Sequence, residues 1–156
     1  VRFALKQVGE MGIDFEFGDQ LWCVFDVDSN SQESIDDARR KAGSNVKIAI
    51  SNPCFELWYL LHFVQCTTAL ATMDALSRLK KYIPDYSKNV CCFDKLEMNT
   101  RTAIARSRRL NDMHKREGVG IDSVQCNPST QVFSVIEHIL NHQGTNRDSH
   151  NHGPRI

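Results

Sequence analysis

Asp26, Asp28 and Glu56 are the residues whose types and spacing could do chemistry together. The first two close an apolar run as Asp26-Val27-Asp28, and the third follows a second apolar run in Ser51-Asn52-Pro53-Cys54-Phe55-Glu56. If the two runs are successive parallel strands, their C-terminal ends share one sheet edge, where α/β folds bind ligands. Carboxylates gathered there favour a divalent cation, and oxygen donors suit Mg²⁺ or Mn²⁺.

Each residue also has a plainer explanation. Aspartates at a strand end cap the next helix. A glutamate in the first turn of a helix complements the helix dipole. Against the second explanation, Glu56 stands among apolar residues, where an unpaired carboxylate is costly. A metal, an arginine or backbone amides could pair it. His62 falls on an apolar helix, where a histidine is more often a hydrogen-bonded core residue than a catalyst. Arg101, Arg106, Arg108 and Arg109 share one helix, and a solvated face explains them. For a nuclease, the same arc would neutralise phosphates without reading sequence. No aromatic residues interleave it, so base stacking is not expected from this helix.

The elements that must position these groups are legible in outline. Residues 21–26 form a continuous apolar run, the pattern of a strand covered on both faces. Residues 29–33 supply N-cap chemistry for a helix spaced by Ile35, Ala38 and Ala42 and ended by Gly43. Residues 46–50 read as a second buried strand. Pro53 suits the first position of a helix capped by Asn52, and the helix that follows is apolar nearly all round, so it is buried. Further helices are expected over 68–82 and 100–116, with an irregular loop over 84–99 between them. Asn127-Pro128-Ser129-Thr130 reads as the start of a last helix. Residues 3–8 read as the end of a helix stopped by Gly9 and Gly12. The expected fold is α/β, a small mostly parallel sheet flanked by helices.

Composition bounds the class. With 41% apolar and 24% charged residues in 156, the chain fits one globular domain. No apolar run reaches membrane-spanning length and no signal peptide is visible. Six cysteines contain no C-x-x-C pair. Cys23, Cys54 and Cys66 are expected to be buried free thiols of a reduced, cytoplasmic protein. The formal net charge of zero excludes a wholly basic nucleic-acid coat but leaves room for a local basic face.

The string Ser51-Asn52-Pro53-Cys54-Phe55-Glu56-Leu57-Trp58-Tyr59-Leu60-Leu61-His62-Phe63, with Trp22-Cys23-Val24-Phe25-Asp26-Val27-Asp28 upstream, resembles the RloB-like family. Tyr86-Ser87-Lys88, Ala103-Ile104-Ala105-Arg106-Ser107 and Asn127-Pro128-Ser129-Thr130 fit it too, so the resemblance spans nearly all of the chain up to Leu140. It implies a Toprim-related fold and a place in prokaryotic anti-phage defence, including abortive infection, beside an ABC-type ATPase. The Toprim pattern pairs a glutamate on a first strand with a later D-x-D, which Asp26 and Asp28 match. No residue matches the glutamate, because Glu10 stands too close to Asp26 to leave room for the intervening helix. The expectation is therefore an N-terminally incomplete domain over residues 1–143, followed by a disordered tail over 144–156 in which His150 and His152 are incidental.

On that resemblance, Asp26, Asp28 and Glu56 are the expected catalytic and metal-binding residues, with Mg²⁺ or Mn²⁺ as cofactor. Asn52, Lys88, Arg101, Arg108 and Arg109 are the expected substrate-binding residues. The implied function is a metal-dependent, nuclease-type phosphodiesterase acting on nucleic acid, DNA and RNA being undistinguished, with an ABC-type ATPase and no membrane. The alternative is a non-catalytic Toprim-like regulatory or interaction subunit of that ATPase. A third is an interaction domain whose carboxylates are only caps.

Overall fold

The structure, a computed structural model, describes residues 1–28 and 30–148, for 143–148 the backbone alone. Ser29, part of the expected capping run, lies outside the described residues, as do residues 149–156 of the expected tail. The last helix runs to Asp148 and so passes the boundary expected at residue 144.

Three strands form one mixed sheet in the order β1 (Leu21–Asp26), β2 (Val46–Asn52), β3 (Ser129–Thr130). β1 and β2 are parallel, with Leu21 opposite Val46 and Asp26 opposite Ser51. The helix α2 (Gln32–Ala42) connects them. Its N-cap is Ser31, whose hydroxyl accepts from the Ser34 amide at 3.3 Å, and Gly43 ends it. A connecting helix is what a parallel pair requires, since its strands cannot be joined by a tight turn.

β2 lies at the centre and is buried from Ala49 to Asn52, with α2 and α7 (Val132–Asp148) against it. β1 does not have the two covered faces expected of it. Among the described residues it is an edge strand with one neighbour, and Val24 is 42% exposed. Cys23 is half-buried for the same reason, whereas Cys54 and Cys66 are buried free thiols as expected.

β3 corrects the reading of residues 127–130. Ser129 and Thr130 pair antiparallel with Asn52 and Ser51, and the hydroxyls of Ser51 and Thr130 meet at 2.8 Å. Two residues are too few to show strand alternation, and the helix begins only at Val132. The Asn52-Pro53 reading is corrected by the same ladder. Asn52 stays in the sheet, its side-chain amide donates to the Val124 carbonyl at 2.9 Å, and α3 (Glu56–Leu61) starts later with Phe55 at its cap position.

The main core lies among α3, α6 (Thr100–Arg116) and the start of α7. Leu57, Leu60, Leu61, Ala103, Leu110 and Val132 fill it. Burying that much aliphatic surface, at about 25 cal/mol per Å² of apolar area, is the main stabilising contribution. A smaller cluster joins Leu79 of α4 (Thr72–Leu79) to Ile83, Cys92 and Leu96. Leu96 closes a short helix, α5 (Phe93–Leu96), and a 3₁₀ turn over Glu97–Asn99 follows, where an irregular loop was expected. The N-terminal helix α1 (Arg2–Met11) buries no residue and ends at Gly12, whose φ of 65° needs a residue without a Cβ.

Candidate functional site

The two acidic motifs leave the sheet side by side. After β1 the Val27 amide donates to the Ser51 carbonyl at 2.8 Å, and the Asp28 amide donates to the Pro53 carbonyl at 3.1 Å. These bonds lay the Asp26-Val27-Asp28 turn along the exit of β2. Asp28 itself has φ 36°, a left-handed conformation that aspartate tolerates better than most residues. Asn30 braces the turn by donating its side-chain amide to the Asp26 carbonyl at 3.0 Å.

Glu56 sits in the first turn of α3 and is 3% exposed. The Tyr86 hydroxyl donates to Glu56 Oε1 at 3.2 Å, and Lys88 Nζ stands 3.6 Å from the same oxygen. Oε2 is buried and has no hydrogen-bond partner. Burial alone would push this carboxyl up. Its own backbone amide, the Cys54 thiol, Lys88 and Tyr86 outweigh burial, and it titrates below the ordinary value. Asp26 moves the other way. Burial and then the Glu56 charge raise it, with Asp28 adding to them, while Lys88 and the Phe55 amide offset them only in part. Two interacting carboxylates thus have their titrations pushed apart.

Cys54, within the second motif, is pushed up to about 12 by burial and by Glu56. It is a thiol rather than a thiolate and so not a nucleophile. Its part in the site, like that of Tyr86, is missed by sequence reasoning. Tyr86 lies in a loop, and only the fold carries its hydroxyl to α3. The ring contact of Tyr86 with Tyr59, centroids 5.9 Å apart and edge-on, fixes that approach.

The other expected residues divide among different tasks. Asn52 is buried and spends its amide N–H on Val124. Arg108 is paired with Glu137 of α7 at 2.5 Å, and Arg106 donates to the Leu61 carbonyl at the end of α3 at 2.8 Å. Arg109 is exposed. Arg101 lies on the wall of an apolar groove between α3, α5 and α7. His62 is a buried core histidine, with Nδ1 2.9 Å from the Trp58 carbonyl. Because that carbonyl only accepts, Nδ1 carries the proton. Burial holds its pKa below the usual value, with Arg106 adding to it.

Among the described residues, no three His, Cys, Asp or Glu side chains come together in a group that could hold a metal ion. Asp26 and Glu56 fit a looser arrangement. Mg²⁺ keeps several waters and uses one or two carboxylates, and the unpartnered Oε2 of Glu56 is an oxygen whose lost hydration a cation would compensate.

Fold and site together define an α/β domain whose two acidic motifs leave the carboxyl edge of a small mixed sheet side by side. The chain belongs to the RloB-like protein family, whose model matches residues 1–139. No curated protein and no solved structure matches it. Among the described residues no helix is long and apolar enough to cross a membrane.

Proposed function

We propose that this chain is a Mg²⁺- or Mn²⁺-dependent, nuclease-type phosphodiesterase of a prokaryotic anti-phage defence system, acting with an ABC-type ATPase. The observation that supports the chemistry is the pair Asp26 and Glu56, delivered by adjacent parallel strands to one edge and pushed apart in titration. The defence setting, the Toprim relationship and the ATPase rest on the family resemblance.

Asp26 and Glu56 would hold the cation, with Asp28 at the rim of the same turn. A bound divalent ion supplies charge to polarise a phosphoryl oxygen and lowers the pKa of water. Tyr86 orients Glu56 from the side away from the orphaned oxygen. Lys88, mostly exposed, can exchange Glu56 for a substrate phosphate. Arg101 and Arg109, exposed on α6, can neutralise further phosphates.

A second reading, a non-catalytic regulatory subunit of the same ATPase, is favoured by one observation. Lys88 already neutralises Glu56 in the way a metal would. The two readings separate in a nuclease titration of the chain alone, the chain with its ATPase, and the Asp26→Ala variant with the ATPase. Mg²⁺-dependent cleavage of DNA or RNA that needs the ATPase and vanishes in Asp26→Ala supports the phosphodiesterase. Cleavage that is equal in all three, or absent from all, overturns it.

A further inference from the structure

The end of the sheet away from the carboxylates holds a cavity of about 350 Å³. Small-ligand sites typically enclose about 300–1,000 Å³. Trp22 of β1, residues 46–48 of β2, Arg39 of α2 and Ser134 of α7 line it. At about 3.3 Å per residue, Asp26 lies about 13 Å further along β1 than Trp22, so this is a separate place from the acidic motifs.

The shortness of β3 creates the cavity. Its two residues pair with Ser51 and Asn52 alone. Among the described residues, no strand lies on that side of residues 46–48, and the space between α2 and α7 stays open there. Backbone groups of this stretch that face away from β1 have no ladder partner.

The lining is positive. Arg39 and Lys47 contribute to it and no carboxylate does. Arg39 makes its hydrogen bonds from Nη2, to Asp122 and to Gln131 Oε1 at 3.3 Å, and its Nε has no partner. Asp122, which does not line the cavity, offsets the charge of Arg39. Lys47 has no such offset among the described residues. Its Nζ donates to the neutral Gln20 Oε1 at 2.9 Å and stands 5.3 Å over the Trp22 ring. Asp19, on a smaller adjoining cavity, accepts the Asp14 amide at 2.9 Å.

These walls fit a compact anion with several acceptor oxygens. A phosphoryl group carries about −1.5 to −2 charges at pH 7 and three strong acceptor oxygens. Donors stand on three different elements to meet it: Arg39 on α2, Lys47 on β2 and the Ser134 hydroxyl on α7. A carboxylate brings two oxygens and one charge. Ala42, Val46 and Ile48 supply aliphatic surface for an organic body attached to the phosphate. With about 30 Å³ as the share of one water, the space holds one small molecule rather than a polynucleotide strand.

We propose that this cavity binds the phosphoryl group of a small molecule through Arg39, Lys47 and Ser134. The proposal goes beyond the phosphodiesterase reading and does not depend on it.

The test titrates the full chain with ribose 5-phosphate, inorganic phosphate and ribose, read by tryptophan fluorescence and by calorimetry. Trp22 is the reporter, because the other tryptophan, Trp58, is buried in the core. Saturable binding of a phosphate-bearing probe, and none of ribose, is the expected result. Equal affinity for inorganic phosphate marks a site for the bare anion, and tighter binding of ribose 5-phosphate marks a site for an organic phosphate; both support the proposal. In Lys47→Gln the affinity should fall about tenfold, the loss of one hydrogen bond to a charged group. Lys47 is exposed, so this variant leaves the core intact. The fluorescence response should vanish in Trp22→Phe while the calorimetric signal persists. The proposal is overturned by the absence of saturable phosphate binding, by equal binding of ribose, or by unchanged affinity in Lys47→Gln. It is overturned as well if only a single-stranded oligonucleotide without a terminal phosphate binds.

Discussion

Asp26 and Glu56 feel each other's charge, yet the fold treats them oppositely, and this has consequences at the scale of single residues. The Glu56 carboxyl titrates below its ordinary 4.5, so its stabilisation is complete above that value and is lost as pH falls through the folded pKa. The Asp26 carboxyl is raised above 3.8, so its ionisation destabilises the fold, a cost absent below 3.8 and complete once pH exceeds the folded pKa. Glu56→Gln should therefore lower stability at pH 7 by about 1–2 kcal/mol, the worth of hydrogen bonds to a charged group. Asp26→Asn should raise it at pH 7 and leave it unchanged in strong acid. Urea unfolding from pH 3 to 8 checks both, and a loss of stability in Asp26→Asn at pH 7 would contradict the assignment. Cys54 gives a second prediction. With its thiol pushed up to about 12, it should resist thiol reagents at pH 8 together with the buried Cys66 and Cys126, while exposed Cys91 reacts. Mass spectrometry of alkylated native and denatured protein reads this out, and modified Cys54 in native protein would count against its buried place beside Glu56.

At the scale of elements, the arginines of α6 show how one helix does several jobs. Arg106 reaches the Leu61 carbonyl, one of the last carbonyls of α3 that has no partner within its own helix. Arg106→Ala should cost about 1–2 kcal/mol, because the acceptor of a buried residue at the end of a core helix loses a charged donor. Arg108→Ala should cost less than about 1 kcal/mol, since the Arg108 end of its pair with Glu137 is exposed to solvent. Urea midpoints of the two variants at one ionic strength give the comparison. An equal cost would mean that the α6–α7 pair carries more than a surface ion pair should.

At the scale of the whole molecule, the two acidic motifs are neighbours because a parallel strand pair and a connecting helix return both to one edge. A cation bound by two carboxylates and water should bind weakly. Mg²⁺ at ten times its dissociation constant adds about 1.4 kcal/mol, a rise in Tm of about 3–6 °C for a domain of this size. Thermal melts with and without Mg²⁺ should show that rise at pH 7, less of it in acid, where protons compete for Asp26, and none in Asp26→Ala. A Mg²⁺ response that survives Asp26→Ala would move the metal elsewhere.

Much of this arrangement was legible in the sequence, and physics says which parts. Asp26 and Glu56 could be named because apolar strands end where their ladders end, and the acidic residues mark those ends. The α/β class, the buried α3 and the 100–116 helix with its exposed Arg101, Arg108 and Arg109 follow from local periodicity. What local pattern cannot hold, the tertiary structure decided. β3 is two residues long and exists only as a partner for Ser51 and Asn52. Asn127, read as a helix start, instead clamps the Leu70 backbone with two bonds of 2.9 Å across the chain. β1 has strand composition, but its place at the sheet edge, and hence the exposure of Val24, depends on where β2 and β3 lie. Tyr86 and Lys88 reach Glu56 from 30 residues away in sequence for the hydroxyl, a distance no local spacing encodes. The apolar groove is likewise a product of packing, since its walls come from α3, α5 and α7 together.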